Sequence, residues 1–216
     1  MNFDWRRTPN IFPWLFPEIT WKINTHKKEL FLTFDDGPSP QITTYVLREL
    51  KKRNIKATFF CQGQNLRDFS EEAEQIIKDC HTIANHTYRH QNGWKTSKRE
   101  YLKSVEECQD MISIYNQNPK KVFRPPYGKI SFSQYVAIIK HYQVVMWSLM
   151  IADFDDRINR ESCLKLALEK TRNGDIIVFH DNEQSAEKLN YVLPRYLDYC
   201  LDNGYEFGLI SECQSS

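Results

Sequence analysis

The chain alternates between short apolar runs and longer stretches with helical spacing, and this alternation leaves few folds open to it. Strand-like runs fall at 30–34, 56–60, 82–85, 121–123, 143–147, 175–179 and 205–209. Helix-like stretches fall between them at 41–53, 70–79, 97–116, 131–141, 159–172 and 185–201. In the first of these, Val46, Leu47 and Leu50 share one helical face. Ser70 stands where a helix would start, Ser97 and Glu100 have the spacing of a capping box, and Gly174 follows 159–172 as a stop signal. Strand–helix alternation with short connections predicts a parallel sheet covered by helices. Whether that sheet closes as a barrel or stays open is not written in the pattern.

A chain of 216 residues suffices for one domain with a substantial core. A net charge of +1 gives no reason to expect nucleic acid or an anionic surface as partner. No apolar stretch is long enough to span a membrane. Charged Asp4, Arg6 and Arg7 are not followed by the apolar segment of an export signal, so a cytoplasmic protein is expected. Six cysteines are scattered without Cys-x-x-Cys spacing, and free thiols are expected at all of them. Residues 1–27 differ from the rest. Pro9, Pro13 and Pro17 alternate there with Phe12, Trp14, Phe16 and Trp21, which predicts an extended arm packed on a domain formed by residues 28–216.

Five short motifs follow strand-like runs: Asp35-Asp36-Gly37-Pro38, His86-Thr87-Tyr88-Arg89-His90, Arg124-Pro125-Pro126-Tyr127-Gly128, Asp153, and His180-Asp181. Strand ends in strand–helix barrels are where distant residues converge. Neighbouring residues in extended chain point apart, so Asp35 and Asp36 should differ in role, one holding a metal and one approaching its water. His86 and His90, four apart, would face the same way on a helical turn and with Asp36 form a two-imidazole, one-carboxylate metal set. Such a set leaves coordination positions open, as catalytic zinc requires, and ferrous iron uses the same ligand types. Arg124, stiffened by two prolines, can pair with Asp35. The Tyr127 N–H can donate into the cleft. His180 is a candidate acid or base, with Asp153 placed to hold its ring. Each motif alone also fits an ordinary turn or helix cap.

In this order the motifs resemble the polysaccharide deacetylase family, also called the NodB-homology domain or carbohydrate esterase family 4. Thr33-Phe34-Asp35-Asp36-Gly37-Pro38, His86 to His90, Arg124 to Gly128 and Ile177-Val178-Phe179-His180-Asp181 carry the resemblance, and Ala57-Thr58-Phe59-Phe60 looks like the family's second strand. It covers about residues 28 to 210 and implies an α/β fold, a distorted, incomplete (β/α)7 barrel in a single domain. The fourth motif departs. In 147–154 only Asp153 is kept, Phe154 stands in a tryptophan's place, and Ser148 and Met150 stand where the family often has acids.

The resemblance implies removal of N-acetyl groups from N-acetylglucosamine-containing glycans. Asp36, His86 and His90 would hold one divalent ion, zinc first, with cobalt, nickel or iron as alternatives. Asp35, oriented by Arg124, would take a proton from water. The Tyr127 N–H would stabilise the oxyanion, and His180, supported by Asp153, would protonate the leaving amine. Rival readings are an O-acetyl carbohydrate esterase of the acetyl xylan type, a catalytically inactive carbohydrate-binding relative, and a protein with a structural metal.

Overall fold

In the computed structural model of the chain, the structure describes residues 6–9, 11–116 and 121–210. The strands are β1 (Glu29–Asp35), β2 (Thr58–Cys61), β3 (Thr82–Asn85), β4 (Val122–Phe123), β5 (Gln143–Val144), β6 (Leu149–Met150), β7 (Ile176–His180) and β8 (Glu206–Phe207). The helices are α1 (Ile11–Leu15), α2 (Pro40–Lys52), α3 (Gly63–Asp68), α4 (Ser70–Lys78), α5 (Lys98–Tyr115), α6 (Phe132–Ile138), α7 (Arg160–Lys170) and α8 (Ala186–Asp202). The sheet runs β5-β4-β3-β2-β1-β7-β6 with parallel neighbours, and β8 lies beside the start of β1. This curled seven-strand path is the distorted, incomplete (β/α)7 barrel expected, in one domain.

Side-chain alternation along the strands sorts the core into two layers. Leu30, Leu32, Phe34, Phe59, Ile177 and Phe179 face outward under the helices, where they meet Val46, Leu50, Leu193 and Leu197. Phe31, Phe60, Ala84, Val122, Val145 and Ile176 form the small inner cluster. Because Thr33 and Asp35 share the inner face with Phe31, β1 delivers a carboxylate to the rim above a packed floor.

Several local expectations needed correction. The apolar stretch 143–147 does not form one strand. It breaks after Val144, and β6 starts two residues beyond it. The break is invisible to periodicity because the run, Ser148 aside, stays apolar through Ile151. Ser70 is the first residue of α4, not its cap; Phe69 holds that place. Ser97 does cap α5, accepting from the Glu100 N–H. The full reciprocal capping box lies instead between Ser131 and Gln134 at α6. Gly174, at φ 76°, belongs to the turn into β7, where a Cβ would sit 2.2 Å from the Ile23 carbonyl.

The N-terminal segment is not extended throughout, since Ile11–Leu15 winds into a short helix. Its flanks lie along both lips of the gap between β5 and β6. Thr20 bridges Val145 and Arg7 bridges Leu149. The Thr20 N–H donates to the Val144 carbonyl, and the Met150 N–H to the Arg6 carbonyl. Arg7 also forks onto buried Asp175 at 2.8 and 3.1 Å. Cys61, Cys80, Cys108, Cys163 and Cys200 are unpaired, and Cys213 lies outside the described residues. Among the described residues no helix is long and apolar enough to cross a membrane.

Candidate active site

β1 ends at Asp35, and the chain turns at once. Asp36 adopts φ 83°, so its carboxylate leaves the strand line and diverges from that of Asp35. The turn is clamped from below by Asp181. One Asp181 oxygen accepts from the Gly37 N–H at 3.0 Å and the other bonds Thr43 Oγ1 at 2.5 Å. A Cβ on Gly37 would come within 2.0 Å of that carboxylate, so only glycine lets the clamp close. Asp181 is buried, and burial pushes its pKa up to about 8.

His86 and His90 converge, but not on a helix. Residues 86–92 are a bent loop in which Thr87 and His90 take left-handed φ values of 64° and 54°. The ring centroids end 5.0 Å apart. Asn85 shapes the start of this loop, its side-chain carbonyl accepting from the Thr87 N–H at 2.9 Å.

His86 Nδ1 lies 2.8 Å from the Arg124 carbonyl. A carbonyl only accepts, so Nδ1 carries the proton and Nε2 presents its lone pair to the cleft. Burial holds the His86 pKa down at about 4, which keeps the ring neutral. Asp36 Oδ1 sits 3.6 Å from His86 Nε2 and 2.9 Å from His90 Nε2. Burial alone would raise the Asp36 pKa, but the imidazoles of His90, His180 and His86 outweigh it and hold the carboxylate well below its usual range.

Asp36, His86 and His90 fit one small cation. Their ligand atoms lie within 4.8 Å of one another. Asp36 Oδ1 is enclosed and has no hydrogen-bond partner of acceptable geometry, the state expected of a ligand oxygen. Its other oxygen accepts from Asn182 Nδ2 at 2.7 Å, and its backbone carbonyl from Asn65 Nδ2 at 2.8 Å. Sequence reasoning missed both orienting amides, which belong to no recognisable spacing.

Arg124 is wholly buried inside the barrel. Its Nη1 donates to Asp35 Oδ1 at 2.5 Å and to Thr33 Oγ1 at 2.8 Å, Nη2 to the Met146 carbonyl and Nε to the Val145 carbonyl. The guanidinium lies 3.9 Å over the Phe60 ring. Asp35 is therefore fixed in direction and neutralised from beneath, leaving its other oxygen to the cleft.

His180 ends β7. Asp153 accepts twice from it, from the backbone N–H and from Nδ1, both at 2.8 Å. Burial would lower the His180 pKa, but the Asp153 carboxylate outweighs it, with help from Asp36 and Asp35, and pushes it up to about 9. The ring is thus a cation at neutral pH with Nε2–H toward the cleft.

Tyr127 lies at φ 60° in the first turn of a 3-10 helix, where N–H groups have no carbonyl partner within the turn. Its ring stands 4.5 Å from His90. These elements border one cleft of about 480 Å³, completed by Trp147, Met150, Phe154, Lys129 and Gln184. Ser148 is not among its walls; its Oγ accepts from the Ile176 N–H at 2.9 Å, away from the cleft. Of the two missing acids in the fourth motif, only the Met150 position faces the opening.

The sequence model of the polysaccharide deacetylase family matches residues 22–147. A peptidoglycan-N-acetylglucosamine deacetylase of Bacillus cereus is 29% identical over 197 residues, covering 90% of this chain and 92% of that protein. Another of the same name and organism is 31% identical over 176 residues, 79% of this chain, which spans only 64% of that relative's length. The crystal structure of the Bc1960 peptidoglycan N-acetylglucosamine deacetylase superposes with a TM-score of 0.82 at 27% identity, covering 97% of this chain and 98% of that one. By its motifs, its fold and the length of the match, this chain belongs to the polysaccharide deacetylase family.

Proposed function

We propose that the protein is a metal-dependent hydrolase that removes N-acetyl groups from N-acetylglucosamine-containing glycans. One observation carries the reading. A charge-neutralised carboxylate, Asp35, and a cationic imidazole, His180, border the same cleft as the Asp36, His86 and His90 set. A divalent ion held by those three, zinc first among candidates, supplies the Lewis acid that polarises a carbonyl and acidifies water.

The chain's own groups do the rest. Asp35, aimed by Arg124, accepts the proton of the attacking water. The Tyr127 N–H donates to the oxygen that gains charge as the carbonyl becomes tetrahedral. His180 gives its Nε2 proton to the amine nitrogen as the C–N bond breaks, and Asp153 stabilises the imidazolium beforehand. A cationic acid is what an amine leaving group needs; a sugar alkoxide needs it less. This favours amide over O-acetyl ester. The relatives named for peptidoglycan N-acetylglucosamine support a glycan of that sugar as substrate class.

Acetate release from chitin oligomers, peptidoglycan fragments and acetylated xylan, with added zinc or cobalt, tests the reading. Turnover of the N-acetylated sugars is expected. Turnover of xylan alone would establish the esterase, and no acetate release from any acetylated sugar with the metal bound would count for the inactive relative or the structural-metal protein.

A further inference from the structure

Three consecutive residues at the end of β7 serve three different places. The Asp181 N–H donates to the Asp35 carbonyl at 3.1 Å, so the chain still runs beside β1 after β7 has ended. Asn182 is extended, at φ −124° and ψ 168°. Its side chain therefore leaves on the same side as His180, toward the cleft, while that of Asp181 points the other way, beneath Gly37. This puts the Asn182 amide directly against Asp36.

The neighbours of that amide settle which end faces which. Its carbonyl oxygen accepts from the Ser185 N–H at 3.0 Å, at the start of the 3-10 turn Glu183–Ser185. A backbone N–H only donates, and an ionised carboxylate only accepts. Reversing the amide would set donor against donor at one end and acceptor against acceptor at the other. Nδ2 must therefore face Asp36 Oδ2, and it does so at 2.7 Å.

The two oxygens of Asp36 are thus divided. Oδ2 is held by Asn182, whereas Oδ1 faces both imidazoles, 2.9 Å from His90 Nε2 and 3.6 Å from His86 Nε2, without a hydrogen-bond partner of acceptable geometry. Asn65 already pins the Asp36 backbone carbonyl, so the freedom left to the residue is rotation of the carboxylate. A carboxylate can give a cation one oxygen or both. Giving both would fill a position that a catalytic ion must keep open.

We propose that Asn182 is a positioning residue for the metal set, one that restricts Asp36 to ligation through Oδ1 and so keeps a coordination position free for water and the acyl oxygen. This rests on the Asp36, His86 and His90 set of the proposed hydrolase.

Cobalt(II) is the probe, because its visible absorption weakens as its coordination number rises. The full chain is loaded with cobalt as wild type, Asn182→Ser and Asn182→Leu. Serine can still cap the Ser185 N–H, so metal-free stability should stay near that of wild type. Leucine matches the volume of asparagine more closely and keeps water from replacing the lost donor. Both variants should keep cobalt at one per chain, show a weakened and shifted spectrum, and lose roughly 10- to 100-fold in kcat for acetate release with little change in KM. A spectrum unchanged in both variants would overturn the proposal. So would loss of cobalt from both at saturating metal, which would make Asn182 necessary for binding itself. Wild type that bound no cobalt would overturn the three-ligand set and this inference together. Wild type that bound cobalt but released no acetate would count against the deacetylase reading alone, since the spectra still decide the role of Asn182.

Discussion

Asp35 and His180 are register partners on the adjacent parallel strands β1 and β7. Both inner-face side chains therefore reach the rim at one height, on neighbouring strands, with the Asp36 turn directly after the first. Asp35→Asn keeps the shape and removes the proposed base. It should lower kcat by roughly 100- to 10,000-fold while bound zinc stays near one per chain. Metal content by mass spectrometry, measured beside acetate release, separates this from loss of the ion; loss of zinc in this variant would reject Asp35 as a base distinct from the ligands.

The second prediction follows from Asp153. His180 has its pKa raised to about 9, so as the proposed acid it should serve below that value, and activity should fall as pH rises through it. Asp153→Asn removes the largest raising influence and drops the limb toward the ordinary histidine range near ~6.5. A cation at the triad offsets part of the Asp36 contribution, so the wild-type basic limb should lie somewhat below 9 in the loaded enzyme. The pH dependence of kcat/KM decides: an unmoved basic limb in Asp153→Asn would remove His180 from the role of acid.

Zinc should raise the melting temperature, and a chelator should reverse the rise, because the ion binds only the assembled set. His90, partly exposed, can be replaced by Ala with loss of this shift and little change in metal-free stability. His86→Ala should lose both, since its Nδ1 also holds the Arg124 carbonyl inside the core. A zinc-induced shift that survives in His90→Ala would argue against the three-ligand site.

Arg124→Met leaves Asp35 buried and unpaired, which should cost about 3–5 kcal/mol. Arg124→Lys should rescue little, because one ammonium cannot replace a fork donating to Asp35, Thr33, Met146 and Val145 at once. Chemical denaturation of both variants measures the difference. Stability near wild type in the lysine variant would show that charge alone, not geometry, is what the interior needs.

Two glycines should respond differently to alanine. Gly204→Ala, at φ 73° with open space around it, should cost about 1 kcal/mol from backbone strain alone. Gly37→Ala drives a methyl into the Asp181 carboxylate and should cost more, about 1–3 kcal/mol from overpacking, together with metal affinity, as Asp36 is displaced. Melting temperatures and zinc titrations of the pair test this; equal effects would mean that the clamp is loose.

Much of this was readable from residue order. Long apolar strands such as β1 and β7 announce themselves because both faces are buried, and each predicted side chain of the site lies at a strand's end or in the loop that follows it. What was not readable arises from backbone shape and from partners distant in sequence. His86 and His90 share four-residue spacing with a helical pair, yet left-handed residues in a loop bring them together. Asn182 and Asn65 orient Asp36 through single amides that no pattern distinguishes from surface asparagines. Asp181 was visible beside His180, but its duty, holding Gly37, depends on a fold contact 144 positions away. The two-residue β6 has too few side chains to show any period.

The strip of chain that lies along both lips of the barrel gap has a consequence for biosynthesis. Thr8 bonds the Trp147 carbonyl 139 positions later, and Arg7 reaches Asp175 across 168. At ordinary translation rates of about 5–20 residues per second, such partners leave the ribosome roughly ten to thirty seconds after the strip does. Throughout that interval Trp21 lacks core neighbours from the far half of the chain, Val144 and Met146 among them, and the sheet margins that the strip pairs with are not yet made. The nascent barrel is thus sealed by a segment made well before either lip that it covers, which makes this strip a stretch a holding chaperone would be expected to recognise.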